Sequence, residues 1–205
     1  MKEVEEKPLP MTTTASSKPI AVTLFVVVGA RIAGLDLWSK NAAFKFLKVV
    51  ETGSPPRVID QERHSVIADF FELEANYNYG AFSGWFSSHT GLLTLLSAVA
   101  GVIILVVFIT LLRKPEGPGL LFTLALSLVW AGTIGNLYDR YYLHAVRDWI
   151  KWFFVTGEGS TRREHVWPNF NIADSGICVG ICLLILLEVR HSIREKRAAK
   201  TSVKA

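Results

Sequence analysis

Charge is missing from long parts of this chain. No Asp, Glu, Lys or Arg occurs from Ala75 to Leu112 or from Gly117 to Tyr138, and after Asp174 the next is Glu188. A helix needs roughly 20 mainly apolar residues to cross a bilayer. The first two tracts meet that length outright, and the third does so if it begins near Phe170. Cysteine is equally scarce, with Cys178 and Cys182 the only two. Four residues apart on one apolar segment, they read as small packing residues with no disulfide and no metal role. The histidines are scattered, so no metal or other cofactor is expected. The net charge of +4 is concentrated in Arg190, Arg194, Lys196, Arg197, Lys200 and Lys204, after the last apolar tract. That placement marks a cytoplasmic flank and gives no support to a nucleic-acid partner.

A further apolar tract, Pro19 to Trp38, is interrupted by Arg31 and Asp36. A cleaved signal peptide would be short and would end in small residues such as Gly29 and Ala30. The long polar stretch before it, with as many Glu as Lys, favours a retained span. Arg31 must then snorkel or find a partner in the bundle. The expected fold is an all-α membrane protein. Its four transmembrane helices form a bundle, and a small extracytoplasmic region is able to carry β-structure. The spans fall at about 20–38, 90–112, 120–138 and 170–189. Residues 1–18 read as a disordered polar N-terminus and residues 191–205 as a basic cytoplasmic tail. Between the spans, Gly53-Ser54-Pro55-Pro56 is a turn signal, and Arg113 to Pro118 is a short linker that makes its flanking helices antiparallel neighbours. Trp149, Trp152, Phe153 and Phe154 suit the headgroup layer.

Four spans place both termini on one side, the cytoplasm. Asp36 and Lys40 then lie at the outer end of span one. Asn76 to Ser83 precede the outer start of span two. Gly132 to Arg140 close span three, and Asn171 and Asp174 open span four. All the polar clusters that flank spans therefore meet at one membrane face. An ionised carboxylate in hydrocarbon is costly, so such a cluster marks a functional site. The acids gather at that face and leave the mid-depth of spans two and three uncharged, which argues against a proton or cation path.

No nucleophile motif accompanies Ser83, Ser87, His89, His144 or His165. Paired carboxylates fit better, because two close Asp share one proton. The charged one activates water while the protonated one polarises a carbonyl. Asp174 is one candidate, and spacing alone leaves the second open. Asp36 has Lys40 at i+4, the helical ion-pair spacing. Asp139 is followed by Arg140, a local ion pair that would cap its helix. Asp148 has Arg147 beside it, but adjacent side chains point apart, so Asp148 is the freer acid. Taken singly, Asn136 can simply bond neighbouring helices, Asn78 can be a turn residue beside Gly80, and Gly132 and Gly135 can serve close helix packing.

Together these segments resemble one known family. Asn78-Tyr79-Gly80-Ala81-Phe82-Ser83 is similar to its N-x-G-A-x-F box, and Ala131 to Arg140 to its G-G-x-x-G-N-x-x-D-R box. Val146-Arg147-Asp148-Trp149 is similar to V-x-D-F, and Phe170 to Ser175 to F-N-x-A-D-S. Asp36 and Lys40 match a D-x-x-x-K at the end of the first span. The family is the lipoprotein signal peptidases, or signal peptidase II, and the resemblance covers about residues 20–190. It implies a four-span aspartic endopeptidase of the bacterial inner membrane, occupying residues 19–190. Such an enzyme removes the signal peptide of prolipoproteins just before the diacylglyceryl-modified cysteine. It implies Asp148 and Asp174 as the catalytic pair. Asn78, Gly80, Asn136, Asp139, Arg140, Asn171, Asp36 and Lys40 follow as substrate-binding or supporting residues. Membrane lipids and lipidated signal peptides are the implied partners, and the chain is expected to act as a monomer. The sequence departs from the family at Ala131, at Trp149 and in the Asn78 box, which is one residue short. Segments 54–63 and 156–164 look like insertions.

Overall fold

The computed structural model describes residues 17–80 and 90–202. The expected disorder of residues 1–16, the segment holding Phe82, Ser83, Ser87 and His89, and the tail residue Lys204 lie outside the described residues.

Among the described residues, four helices are long and apolar enough to cross a membrane: α1 (Lys18–Phe46), α2 (Thr90–Arg113), α3 (Leu120–Leu143) and α4 (Ile172–Ser202). Strands β1 (Val50–Thr52), β2 (Arg57–Asp60), β3 (His64–Ile67) and β4 (Phe71–Asn78) follow α1, and β5 (Val146–Thr156) and β6 (Arg163–Val166) lie between α3 and α4. The small region outside the bundle is therefore a sheet, and the protein is mostly helical. β1 and β2 form a hairpin, while β3-β4-β5-β6 form one antiparallel sheet. Segment 54–63 is spent on the β1–β2 hairpin and its exit. Segment 156–164 forms the β5–β6 turn, with a short 3₁₀ helix at Gly159–Thr161.

Helix α3 is the centre of the bundle. It packs against α1, α2 and α4, and half of its apolar stretch is buried, against a fifth or less in α2 and α4. The interface with α4 is made of small residues. A methyl group on Gly132 would collide with the carbonyl of Ala173 and lie 2.7 Å from Ile177. One on Gly180 would lie 2.6 Å from Val129 and 2.8 Å from the carbonyl of Ala125. Backbones this close gain van der Waals contact that lipid cannot supply. They also fix the depth of α4 against α3, and Asp174 rides on α4. Gly132→Ala should therefore cost about 1–3 kcal/mol, the usual penalty for overpacking. Detergent-induced unfolding measures this, and a stability unchanged from wild type would show that the contact is not needed.

Lower in the bundle, Phe25 stacks on Phe108 with ring centroids 4.1 Å apart, joining α1 to α2. Arg31 lies on the exposed face of α1. Helix α4 continues to Ser202, so the basic residues expected as a tail are helical up to that point. Two expectations are corrected. Cys178 and Cys182 are exposed on the outer surface of α4, because the face that packs on α3 is occupied by glycines. Phe153 is only 4% exposed while Trp152 is 46% exposed. Strand alternation turns successive side chains to opposite faces, so the four aromatics cannot share one layer.

Candidate active site

The fourth helix opens with a reciprocal cap. Asn171 precedes its first residue, and the Asn171 Oδ1 accepts from the Asp174 N–H at 2.9 Å. In return the Asp174 Oδ2 accepts from the Asn171 N–H at 3.2 Å. This is the capping-box arrangement with Asn and Asp in its two roles. Another free N–H of the first turn, that of Ala173, donates to Asp36 Oδ1 of α1 at 2.9 Å. The residues that start the helix thus also fix the Asp174 carboxylate.

Asp148 comes from the other direction, on β5. Its carboxyl is fully buried, while Asp174 is partly exposed. Asn171 joins the two: its Nδ2 donates to Asp148 Oδ1 at 2.7 Å, while its backbone N–H serves Asp174. Asn78 Nδ2 donates to the second Asp148 oxygen at 3.2 Å, and Asn78 Oδ1 accepts from the Gly80 N–H at 3.0 Å. Asn136 Nδ2 donates to Asp174 Oδ1 at 2.7 Å. Its Oδ1 accepts from Lys40 Nζ at 3.0 Å and from Asn171 Nδ2 at 3.1 Å. Each asparagine therefore spends its amide on a carboxylate and its carbonyl on holding the amide in place. Burial, and then the negative charge of Asp174, push the Asp148 carboxyl well above the usual carboxylate range. Hydrogen bonds from Asn78 and Asn171 and the positive charge of Lys40 oppose them without cancelling them.

Beneath this pair lies a buried ionic cluster. Lys40 Nζ is 2.7 Å from Asp36 Oδ2 and 3.2 Å from Asp139 Oδ2, and all three side chains are fully buried. Asp139 also receives the Arg147 guanidinium, with Nη2 at 2.7 Å. Asp36 needs the space above Gly135, where a methyl group would lie 2.6 Å from its Oδ2. Arg140 donates from Nη2 to the Gly80 carbonyl at 3.3 Å, tying the end of β4 to the end of α3.

The signal peptidase (SPase) II family profile matches residues 28–190, which hold every residue of this network. The chain belongs to the signal peptidase II family. A lipoprotein signal peptidase of Teredinibacter turnerae is 40% identical over 180 residues, covering 85% of this chain and 89% of that relative. One from Aquifex aeolicus is 32% identical over 164 residues, covering 80% and 84%. A solved bacterial membrane enzyme is similar in fold, with a TM-score of 0.61 at 23% identity over 82% of this chain and 88% of its own. This protein is accordingly a membrane-embedded peptidase.

The boxes that resemble signal peptidase II are brought together in space. Asp36, Lys40, Asn136, Asp139, Asn171, Asp148 and Asp174 form one connected network, with Asn78 and Gly80 at its edge. One sequence expectation fails. Asp139 does not pair with Arg140. Neighbours on a helix diverge by about 100°, so Arg140 turns to Gly80 while Asp139 turns inward to Lys40 and Arg147. Sequence reasoning also missed Arg147 and Asn41, whose Oδ1 accepts from Arg147 Nη1. The sequence showed Arg147 beside Asp148, but not that both are buried, and the partner of Arg147 comes from another element.

Proposed function

We propose that this protein is an aspartic endopeptidase acting on diacylglyceryl-modified prolipoproteins. It cuts the signal peptide just before the lipidated cysteine, using Asp148 and Asp174. The observation that carries this reading is Asn171, which holds one oxygen of each carboxyl at the mouth of α4. Two acids in such proximity share one proton. Asp148, buried and raised, keeps it. Asp174, partly exposed, is the base that water reaches.

Asp174 takes a proton from water as the oxygen adds to the scissile carbonyl carbon. Asp148 passes its proton to the carbonyl oxygen, giving a neutral gem-diol. Asp174 then returns its proton to the amide nitrogen while Asp148 recovers one from the diol, and the C–N bond breaks. The pair ends in its starting state. Residues 19–190 supply all of this machinery, so one copy suffices and the protein acts as a monomer. Both termini face the cytoplasm of a bacterial inner membrane, and the site faces outward. A diacylglyceryl anchor and an apolar signal helix both partition into the bilayer, so substrate enters from the lipid.

The test uses purified full-length protein in lipid vesicles. A diacylglyceryl-modified prolipoprotein should be cut immediately before its modified cysteine, as read by mass spectrometry, with or without a metal chelator. The same precursor without the lipid should remain intact. Equal cleavage of both would remove the lipid from the specificity, and inhibition by the chelator would replace the dyad with a metal.

A further inference from the structure

Arg147 sits at the open position of the V-x-D-F box, the residue the family resemblance leaves unspecified. Its environment is more demanding than a variable position would need. Asp139 is engaged by three atoms of Arg147, with Nη2 2.7 Å and Nε 3.2 Å from Oδ1 and the backbone N–H 3.0 Å from Oδ2. Nη1 donates to Asn41 of α1. The Arg147 carbonyl accepts from Asn171 Nδ2 at 3.2 Å. One residue thus joins the start of β5 to α1, to α3 and to the residue that caps α4, and Asp148 is the next residue along.

Charge gives the same position a second role. Asp36 and Asp139 are matched by Lys40 and Arg147, two acids against two bases. With Arg147 removed, the cluster holds an unbalanced negative charge next to the two carboxyls. Resting on the dyad reading above, we propose that Arg147 is a positioning residue for Asp148. It clamps the strand that carries the acid and keeps the ionic cluster beneath it neutral. Among the described residues, the titratable and charged groups linked to it directly or through the cluster are Asp139 of α3 and Lys40 and Asp36 of α1, with Arg140 of α3 acting on Asp139 and on Asp174 of α4. From the sheet come Asp148 and Tyr77, the latter bonded through its hydroxyl to Glu51 at 2.6 Å. A fork of parallel donors is what Arg offers and Lys does not, so the two functions separate by substitution.

The experiment compares wild type, Arg147→Lys, Arg147→Met and Arg147→Met with Asp139→Asn, in vesicles, by cleavage of the lipidated precursor across pH. Asp148→Asn is the inactive control. Arg147→Lys keeps the charge and loses the fork. Its kcat should fall at least about tenfold with KM unchanged and the pH profile in place, as slight misplacement of a reacting group costs up to about a hundredfold. Arg147→Met should lose as much and move its pH profile upward by about one unit, because added negative charge makes both carboxyls hold protons longer. The added Asp139→Asn should return the profile to its place while kcat stays low. If Arg147→Met does not fold, the Lys variant decides. A wild-type kcat in Arg147→Lys, or in a folded Arg147→Met a profile that does not move, overturns the proposal. An active Asp148→Asn control would instead overturn the dyad itself, whatever Arg147 does.

Discussion

Asp148→Asn and Asp174→Asn should each reduce cleavage of the lipidated precursor by about 10²–10⁴-fold or more, the range attributed to a general acid or base. Asparagine keeps the size of the side chain but holds no proton that it can pass to the carbonyl, and it cannot take one from water. The two single variants should be about equally inactive, and the double variant hardly worse, because the pair acts as a unit. Either variant cleaving at the wild-type rate would remove that residue from the chemistry.

The Asp148 variant has a second expected effect, with the opposite sign. Its carboxyl is raised in the folded protein, first by burial and then by Asp174. In the unfolded chain it titrates near the ordinary value of 3.8. Below that value both states hold the proton, and the group costs nothing. As pH rises, the unfolded state gives up its proton first, so the folded state loses stability until its own raised value is passed. Asp148→Asn removes that loss. Its melting temperature should match wild type in acid and exceed it progressively from about pH 4 towards neutrality. A gap that stays constant with pH would show that Asp148 is not held protonated by its surroundings. Gain of stability with loss of activity is expected where a site is built from strained electrostatics.

The spans were legible because hydrocarbon excludes charge, and the sequence shows where charge stops. Asp36 with Lys40 was legible because i and i+4 share a helix face, and the ion pair forms at 2.7 Å. The convergence of clusters at one face followed from counting crossings. The partner of Asp139 was not legible. Chain proximity favoured Arg140, but Asp139 is reached by Arg147 after the chain turns at His144, whose φ of 56° reverses its direction. Long-range pairs of this kind depend on how β5 returns to the bundle, and no local pattern states that. The strand itself was obscured because Arg147, Asp148 and Lys151 are buried on it, where alternation normally places apolar residues. Lys151 is held there by Glu72 at 3.2 Å and Glu74 at 3.1 Å, both from β4. Buried charges satisfied by a neighbouring strand look like loop residues when read alone.

Lys40→Met should be the most destabilising single change in the network. The ammonium is fully enclosed, with Asp36 at 2.7 Å, Asp139 at 3.2 Å and the Asn136 carbonyl at 3.0 Å. Removing it leaves two buried carboxylates with one arginine between them. Breaking a buried pair on one side typically costs about 3–5 kcal/mol, far more than the pair contributes against an apolar replacement. The damage should spread to the dyad, because Asn136 loses a donor to its Oδ1 and with it part of what holds its amide on Asp174. Detergent-induced unfolding gives the stability, and residual cleavage gives the effect on the site. Adding Asp36→Asn should recover part of the stability, since the neutral side chain no longer needs a counter-charge and its Oδ1 still accepts from Ala173. It should recover less of the activity, because nothing then restores the donor to Asn136. Recovery of neither would mean that Lys40 acts through its packing, and a loss under about 1 kcal/mol in the single variant would place this cluster with the weak, solvent-screened ion pairs of a protein surface.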